Sequence, residues 1–370
     1  MWVSAEEALR QLRVRPQTLY ANVSRGRIAA RPDPADPRRS LYRAEDVDRL
    51  ASRTRGRPSV AAVAAEAIEW GAPVLPSAIS AIGGGRLIYR GYDAVALSRT
   101  ATLEETAELL WNGWQCLPAV TAGQGPVLAA LADLADRQPA TVGQGQVALR
   151  EQAAITLATV AAALLGRGND LLHVRVARHF ERADAAEMFR RTLVLLAEHE
   201  LNASTFAARV TVSTGASLAA GALAGLAALS GPRHGRAAAT IAALAEDIGH
   251  DPATAEPALL DWLAEGRAVP GFGHRLYPGG DVRAAELLMH TPVPPAFAAL
   301  ATAAEGIVGE RPNVDFALAA LSTSLELPPT APMTLFTLAR TVGWLAHMLE
   351  QAQSGRIVRP RARYTGPEPA

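Results

Sequence analysis

Apolar residues recur at helical spacing through most of the chain. Leu128, Leu131 and Leu134 mark one stripe, and Leu157, Val160 and Leu164 another. Steps of three or four residues put such positions on one face of a helix. Alanine and leucine fill much of the rest, which adds helix propensity. The exception is Arg86-Leu-Ile-Tyr-Arg-Gly-Tyr92, which follows the glycine turn Gly83–Gly85 and reads as strand-like. Those glycines are no dinucleotide fingerprint, because no strand–helix unit surrounds them; Gly143 and Gly145 fail the same test. No fixed period repeats, so the pattern predicts a compact multi-helix body rather than a solenoid.

Residues 1–57 read as a separate small module. Ser4 is placed to cap a helix, with Glu6 and Glu7 in its first turn and Ala8, Leu9 and Leu12 on its apolar face. After a turn at Val14, Pro16 sits at a first helical position, and Leu19, Tyr20 and Val23 form the next stripe, closed by Gly26. Arg31 to Arg39 reads as a loop or wing, and Ala44 to Leu50 as a third helix. The module carries roughly 13 arginines against roughly 7 acids, a basic footprint within a chain whose remainder leans acidic. The runs S-A-E-E-A-L-R-Q-L-R-V-R-P-Q-T-L-Y and S-R-G-R-I resemble the small winged helix-turn-helix of MerR and excisionase-type proteins over about 50 residues. On DNA, Gln17, Thr18, Tyr20 and Arg25 would face the groove and Arg38 and Arg39 the phosphates. The alternative is a docking or oligomerisation module that never touches DNA. Arg53 to Pro58 reads as a linker.

Composition narrows the classes. With 370 residues, 49% apolar and 19% charged, the chain can bury a large core. A formal net charge of zero argues against coating nucleic acid or an anionic membrane with the whole protein. Every basic residue other than histidine is arginine, which excludes Schiff-base lysine chemistry and the lysine of a P-loop. Cys116 is the single cysteine and is expected as a small buried hydrophobe; a disulfide within the chain and a Cys-rich metal site are out. Arg10, Arg13 and Arg15 break any signal-peptide pattern, and the apolar run Ile155–Leu165 falls short of a membrane span. The expectation is a reduced, soluble, cytoplasmic protein with no membrane partner.

Several stretches carry candidate chemistry. Val269-Pro-Gly-Phe-Gly-His-Arg-Leu-Tyr277 leaves backbone bare at Gly271 and Gly273 and runs into His274, with Asp281 and Arg283 close behind. Bare amides, an imidazole and a guanidinium suit an anionic ligand. Glu198-His-Glu-Leu-Asn-Ala-Ser-Thr205 falls at a helix end or break and is not a zincin motif, since position 203 is alanine. His234, in Gly231-Pro-Arg-His-Gly-Arg236, is expected against helix N-terminal amides that disfavour its cation, leaving a neutral hydrogen-bond donor. Asp315 follows the Pro312-Asn313 turn and is either a helix cap or a general base. Arg340 lies in an apolar helix and, if buried, needs a carboxylate or a ligand. Arg356 to Arg361 is a basic C-terminal extension, either functional or a solvated terminus.

Taken in order, Leu75-Pro-Ser-Ala-Ile-Ser, L-I-Y-R-G-Y-D, E-H-E-L-N-A-S-T, G-P-R-H-G, G-F-G-H-R-L-Y with D-V-R, P-N-V-D-F, A-R-T-V-G-W-L-A-H and R-P-R-A-R-Y-T-G resemble the citrate synthase family, in its bacterial citrate/2-methylcitrate synthase group. The likeness covers about residues 70–367. It implies an all-α fold after the winged module at 1–57, with a large domain (58–230 and 325–370), a small domain (231–324) and an intertwined homodimer. It also implies an acyltransferase of the Si-type, placed in the tricarboxylic acid cycle, that condenses oxaloacetate with acetyl-CoA to give citrate and CoA. Propionyl-CoA, giving 2-methylcitrate, is the alternative substrate. A DNA-binding regulator that uses the synthase body as a metabolite sensor is the alternative function.

By motif, the resemblance makes Asp315 the base that takes the acetyl-CoA methyl proton. His234 would hold the thioester oxygen and stabilise the enol. His274 would bind the oxaloacetate carbonyl and supply its proton. His199, Arg283 and Arg340, with Arg359 from the other subunit, would hold the oxaloacetate carboxylates. The Val269-Pro270-Gly271-Phe272-Gly273 backbone would line the CoA adenine. No metal or further cofactor is implied. The chemistry asks for such groups: so weak a carbon acid ionises only when base and enol donor act together, a dianion calls for arginines, and domain closure excludes water. The chain departs from the family pattern at Pro278, where a basic residue is usual and for which Arg275 can substitute at the CoA phosphates. It departs again at Val282, where a proline is usual, and at Arg236, where glycine is common. Ala317 and Leu318, after the aspartate, differ in a way that bears on the acyl side of the site.

Overall fold

The structure, a computed structural model, describes residues 2–34, 36–52, 75–113, 116–232, 234–235, 237–248, 252–267, 269–360, 362 and 366–367. The expected linker Arg53–Pro58 lies outside them, as do Arg233, Arg236, Arg361 and the side chain of Arg38. The chain begins β1 (Trp2–Ser4), α1 (Ala5–Leu12), α2 (Pro16–Ser24), β2 (Ala30–Asp33), β3 (Asp36–Arg43), α3 (Ala44–Ser52). Three short strands follow: β4 (Ser80–Gly83), β5 (Arg86–Tyr89) and β6 (Tyr92–Asp93). Helices then dominate, beginning with α4 (Ala94–Ser98), α5 (Leu103–Trp111), α6 (Val127–Arg137), α7 (Gln146–Leu165), α8 (Leu172–His179), α9 (Ala186–Leu196), α10 (Ala203–Ser213) and α11 (Leu218–Leu229). The last are α12 (Ala237–Ile248), α13 (Ala255–Ala264), α14 (Val282–His290), α15 (Pro295–Val308), α16 (Val314–Ser324) and α17 (Ala331–Ser354). The chain is thus mostly helical, with short strands near the N-terminus that an all-α description omits.

The elements form two compact units: Met1–Ala78 with Ile82–Leu87 and Arg236–Pro332, and Ile79–Ala81 with Ile88–Gly235 and Met333–Ala370. In the first, Ser4 opens α1 with a reciprocal cap. The Glu7 N–H donates to Ser4 Oγ at 3.3 Å, and the Ser4 N–H donates to the Glu7 carboxylate at 2.9 Å. Arg13 turns left-handed (φ 55°) to end α1, and Pro16 starts α2. The stretch expected as a wing is the antiparallel β2–β3 pair, with Arg31 opposite Leu41 and Ala30 opposite Tyr42. β1 joins the far side of β3, pairing Val3 with Tyr42. Three residues are too few to show alternation in sequence, which is why β1 was not expected. Ala8, Leu19, Val23, Ile28, Tyr42 and Val47 form the module's core.

The rest of this unit packs α12, α13, α15 and α16 about Ile241, Leu244, Leu259, Leu300 and three phenylalanines. Phe316 meets Phe272 and Phe297 edge-on at 5.1 and 5.5 Å, each contact worth about 0.5–1.5 kcal/mol beyond area burial. Tyr20 of α2 packs against the same core, so the N-terminal module is joined to it.

In the second unit α10 and α11 lie against α17. Gly221 and Gly225 of α11 leave room for Met348 and Trp344, since a Cβ at either would meet those side chains. α7 is long and apolar enough to cross a membrane by length and composition, but 67% of its apolar window is buried inside the fold, as in a core helix. Cys116, expected buried, is exposed. Polar and turn-forming neighbours (Gly113, Pro118, Gly123) put it in a loop between α5 and α6 that no stripe of apolar residues draws inward.

Candidate active site

In the first unit the glycine turn and the segment before α16 are pinned together. The Gly273 N–H donates to the Arg311 carbonyl, and the Asn313 N–H to the Gly271 carbonyl, both at 2.8 Å. Phe272 and Pro312 form a bridge between these hydrogen bonds. Gly271 and Gly273 have φ of 82° and 70°, a region that side chains with a Cβ enter only under strain. A Cβ at Gly271 would also strike Ile241 and Phe316. Asn313 then caps α16, its Oδ1 accepting from the Asp315 N–H at 3.0 Å while its Nδ2 donates to the Gly273 carbonyl at 3.2 Å. One asparagine therefore fixes the turn before His274 and the helix start that carries Asp315.

His274 is half-buried, and its pKa is pushed down to about 4, by desolvation first and then by Arg283, against an opposing pull from Asp281. Its Nδ1 accepts from the Leu276 N–H at 3.2 Å. The proton of the neutral ring therefore sits on Nε2, a tautomer assigned from this hydrogen bond. Tyr277 stacks beside it at 5.0 Å, with the Arg283 guanidinium 5.7 Å from the same ring. Arg283 is buried and gripped by Asp281, Nε to Oδ1 at 3.0 Å and Nη2 to Oδ2 at 2.7 Å. Asp281 also caps α14 and accepts from the Val314 N–H at 3.1 Å. Burial alone would raise the Asp281 carboxyl; Arg283 above all, with His274, outweighs it and holds the pKa below the usual range.

In the second unit the run from Glu198 to Thr205 breaks the helix instead of continuing it. α9 ends at Leu196, Glu200 takes φ 49°, and Asn202 caps α10 by accepting from the Thr205 N–H at 3.0 Å. Glu198 and His199 are buried, so this is no solvated helix end. Glu198 Oε1 accepts from Ser80 Oγ and from His347 Nε2, each at 2.9 Å. Arg209 Nη1 faces His347 Nδ1 at 3.2 Å. A guanidinium only donates, so Nδ1 accepts and the ring donates through Nε2 to Glu198. Burial pushes the Glu198 carboxyl up; His347, Arg340 and the two hydrogen bonds overcome that and lower it.

His234 lies in the short connection between α11 and α12, with Nε2 at 2.9 Å from Ser204 Oγ. Trp344 Nε1 donates to that oxygen at 3.1 Å, and Asn202 Oδ1 lies 2.8 Å from it. Since the indole is a donor only and an amide oxygen an acceptor only, Ser204 accepts from Trp344 and donates its one proton to Asn202 Oδ1, with His234 Nε2 the competing acceptor. Given to His234 Nε2 instead, that proton leaves the imidazole proton on Nδ1. The pKa of His234 is pushed down to about 4 by burial first and by Arg340 second. That replaces the expected cause, helix N-terminal amides, with desolvation and a neighbouring cation. Arg340 is 1% exposed, with Nε donating to the Leu196 carbonyl at 3.0 Å and its guanidinium 4.7 Å from the Phe336 ring.

The first unit thus groups His274, Arg283 and Asp315 with Val269–Gly273, and the second groups His199, His234 and Arg340. Val269 and Phe272 turn their side chains into the core, so that segment offers a ligand backbone rather than side chains. Arg275 is exposed, and Arg359 lies exposed beyond α17. Sequence reading assigns no role to Asn313, Ser204, Trp344 or His347. Their signal was only that they stand inside the same short blocks as the histidines and Arg340. No group of histidine, cysteine and carboxylate residues fit to hold a metal occurs among the described residues.

The model of the citrate synthase C-terminal domain matches residues 168–361. The chain is 31% identical over 362 residues to citrate synthase of Haloferax volcanii, covering 80% of this chain and 94% of that one. It is 39% identical over 192 residues to citrate synthase 2 of Bacillus subtilis, covering 49% of this chain and 51% of that one. In that match it spans about half the length of its relative. Among solved structures it resembles the citrate synthase of Thermoplasma acidophilum in ternary complex with carboxymethyl coenzyme A and oxaloacetate. The TM-score is 0.68 at 25% identity, over 82% of this chain and 97% of that one.

Proposed function

This chain belongs to the citrate synthase family, and from that premise we propose that it condenses oxaloacetate with acetyl-CoA, releasing citrate and CoA. The observation that carries the proposal is the pairing of each half-buried, neutral histidine with a buried arginine: His274 with Arg283, and His234 with Arg340. Desolvated cations beside neutral imidazoles invite an anionic substrate and offer N–H donors to its carbonyl oxygens.

In this reading Asp315 removes a proton from the acetyl methyl group while His234 donates to the thioester oxygen, so charge does not build up on the enolate. The donor is Nδ1–H, which requires Ser204 to give its proton to Nε2. The enol carbon attacks the oxaloacetate ketone, and His274 Nε2–H supplies the proton to the resulting alkoxide. Water then cleaves the citryl thioester to citrate and CoA. His199, Arg283 and Arg340 hold the carboxylates, and Asp281 keeps the Arg283 guanidinium in one plane, as two-point recognition of a carboxylate requires. Arg359, reaching from a partner subunit, completes the set. The Val269–Gly273 backbone and Arg275 receive the CoA, and the reaction asks for no metal.

The test is product analysis with the two acyl-CoAs. Citrate from acetyl-CoA at the higher catalytic efficiency is expected. One methylene changes binding by roughly 1–3 kcal/mol, so a preference above about tenfold for propionyl-CoA would reassign the enzyme as a 2-methylcitrate synthase. We also propose that the protein is a cytoplasmic homodimer whose N-terminal module, residues 1–57, is of the winged helix-turn-helix kind. Two helices, a strand pair and a third helix in that order, with the basic charge, support the likeness. Binding to DNA would draw on Gln17 and Thr18, which are exposed, but Tyr20 and Arg25 are already engaged within the chain.

A further inference from the structure

The end of α2 reaches the segment that precedes His274. Arg25 forms an ion pair with Glu310, whose carboxylate is only 7% exposed. Ser24 Oγ donates to the Val269 carbonyl at 3.4 Å. The Glu310 carboxylate lies directly against Gly273, where a Cβ would collide with its Oε2 and its carboxyl carbon. Elsewhere along the same contact, Ser40 Oγ donates to the Ala264 carbonyl at 2.7 Å, and Tyr20 packs into the core beneath α15. The carboxylate is thus wedged between the N-terminal module and the glycine turn.

A buried carboxylate stays in place only while its charge is matched. If Arg25 is lost, Glu310 must move toward water, and the first backbone it releases is Gly273. That residue holds the turn to Arg311 and leads into His274. We propose that Arg25 and Glu310 are positioning residues. Their ion pair fixes the Gly271–His274 turn, and through it the N-terminal module sets how well that backbone receives the acyl-CoA. The module is then an intramolecular support for the acyl-CoA segment, held by the face that would otherwise be offered to DNA.

The experiment compares Arg25→Gln, Glu310→Gln and the double variant in the full chain by amide hydrogen exchange and steady-state kinetics. Arg25→Gln is expected to speed exchange across Gly271–Leu276 and at Asn313 by roughly tenfold, with the rest of the chain unchanged. Adding Glu310→Gln restores slow exchange, because a neutral amide needs no countercharge. The kinetic arm rests on the acyl-CoA reading above: KM for acyl-CoA rises about fivefold in Arg25→Gln and returns to the wild-type value when Glu310→Gln is added. Exchange unchanged in the turn, raised evenly over the whole chain, or not restored by the second substitution overturns the proposal. Absence of turnover in the wild type would instead count against the acyl-CoA reading, and the exchange result would still decide the role of Arg25.

Discussion

At the scale of single residues, His234 and His274 of the candidate site tie stability to pH. Both have folded-state pKa values pushed down to about 4, from an ordinary value of 6.5. Below pH 6.5 the unfolded chain takes up protons that the folded chain refuses. The stability these residues contribute is therefore complete above 6.5 and is lost as pH falls toward 4, at about 1.4 kcal/mol per pH unit for each. Melting temperatures measured between pH 7 and 4.5 should fall steadily, and less steeply in His234→Gln; an identical slope in the variant would contradict the assignment. Ser204→Ala removes the partner of His234 Nε2 and the acceptor of Trp344. It should lower kcat about tenfold with little change in KM for oxaloacetate, as expected when a donor is mis-set rather than a binding group lost. Equal kcat in the two proteins would show that Ser204 does not govern the tautomer.

At the scale of elements, α17 is the most informative. In sequence it reads as a core helix with one awkward arginine. The structure explains both its arginine and its glycine: Arg340 is buried over Phe336, and Gly343 lies against Ala197 and Glu198. A Cβ at Gly343 would meet the Ala197 carbonyl and the Glu198 carboxylate. Gly343→Ala, which on helix propensity alone should stabilise, is therefore expected to cost roughly 1–3 kcal/mol, read as a lower melting temperature. A rise would mean that the Glu198 run is not packed there. The same helix shows where sequence legibility ended. Periodicity located it, and the blocks around His199, His234 and His274 were read correctly as interruptions of helix. The chain pattern could not show that Ser204 and Trp344 meet, because 140 positions separate them. Nor could it show that Glu198 is buried, since a Glu-His-Glu run has the composition of a solvated end.

At the scale of the whole molecule, the N-terminal module and the 236–332 segment belong to one compact unit although nearly two hundred residues lie between them. Sequence reading sets residues 1–57 apart as a small basic module of short helices, and leaves open whether it docks or binds DNA. The missing information was tertiary: contacts far apart in sequence, such as Arg25 with Glu310, join it to the segment that carries His274 and Asp315. Deleting residues 1–52 should therefore expose Tyr20's seat beside α15 and lower the melting temperature, whereas an independent appendage would leave it unchanged. The catalytic account itself hangs on Asp315, which Asn313 sets at the first turn of α16. The most direct measurement is thiol release by the purified protein with oxaloacetate and acetyl-CoA, beside Asp315→Asn. The account predicts oxaloacetate-dependent turnover that falls by about 10²–10⁴-fold in the variant. Undiminished turnover in Asp315→Asn, or none from the folded wild type with either acetyl-CoA or propionyl-CoA, would contradict it.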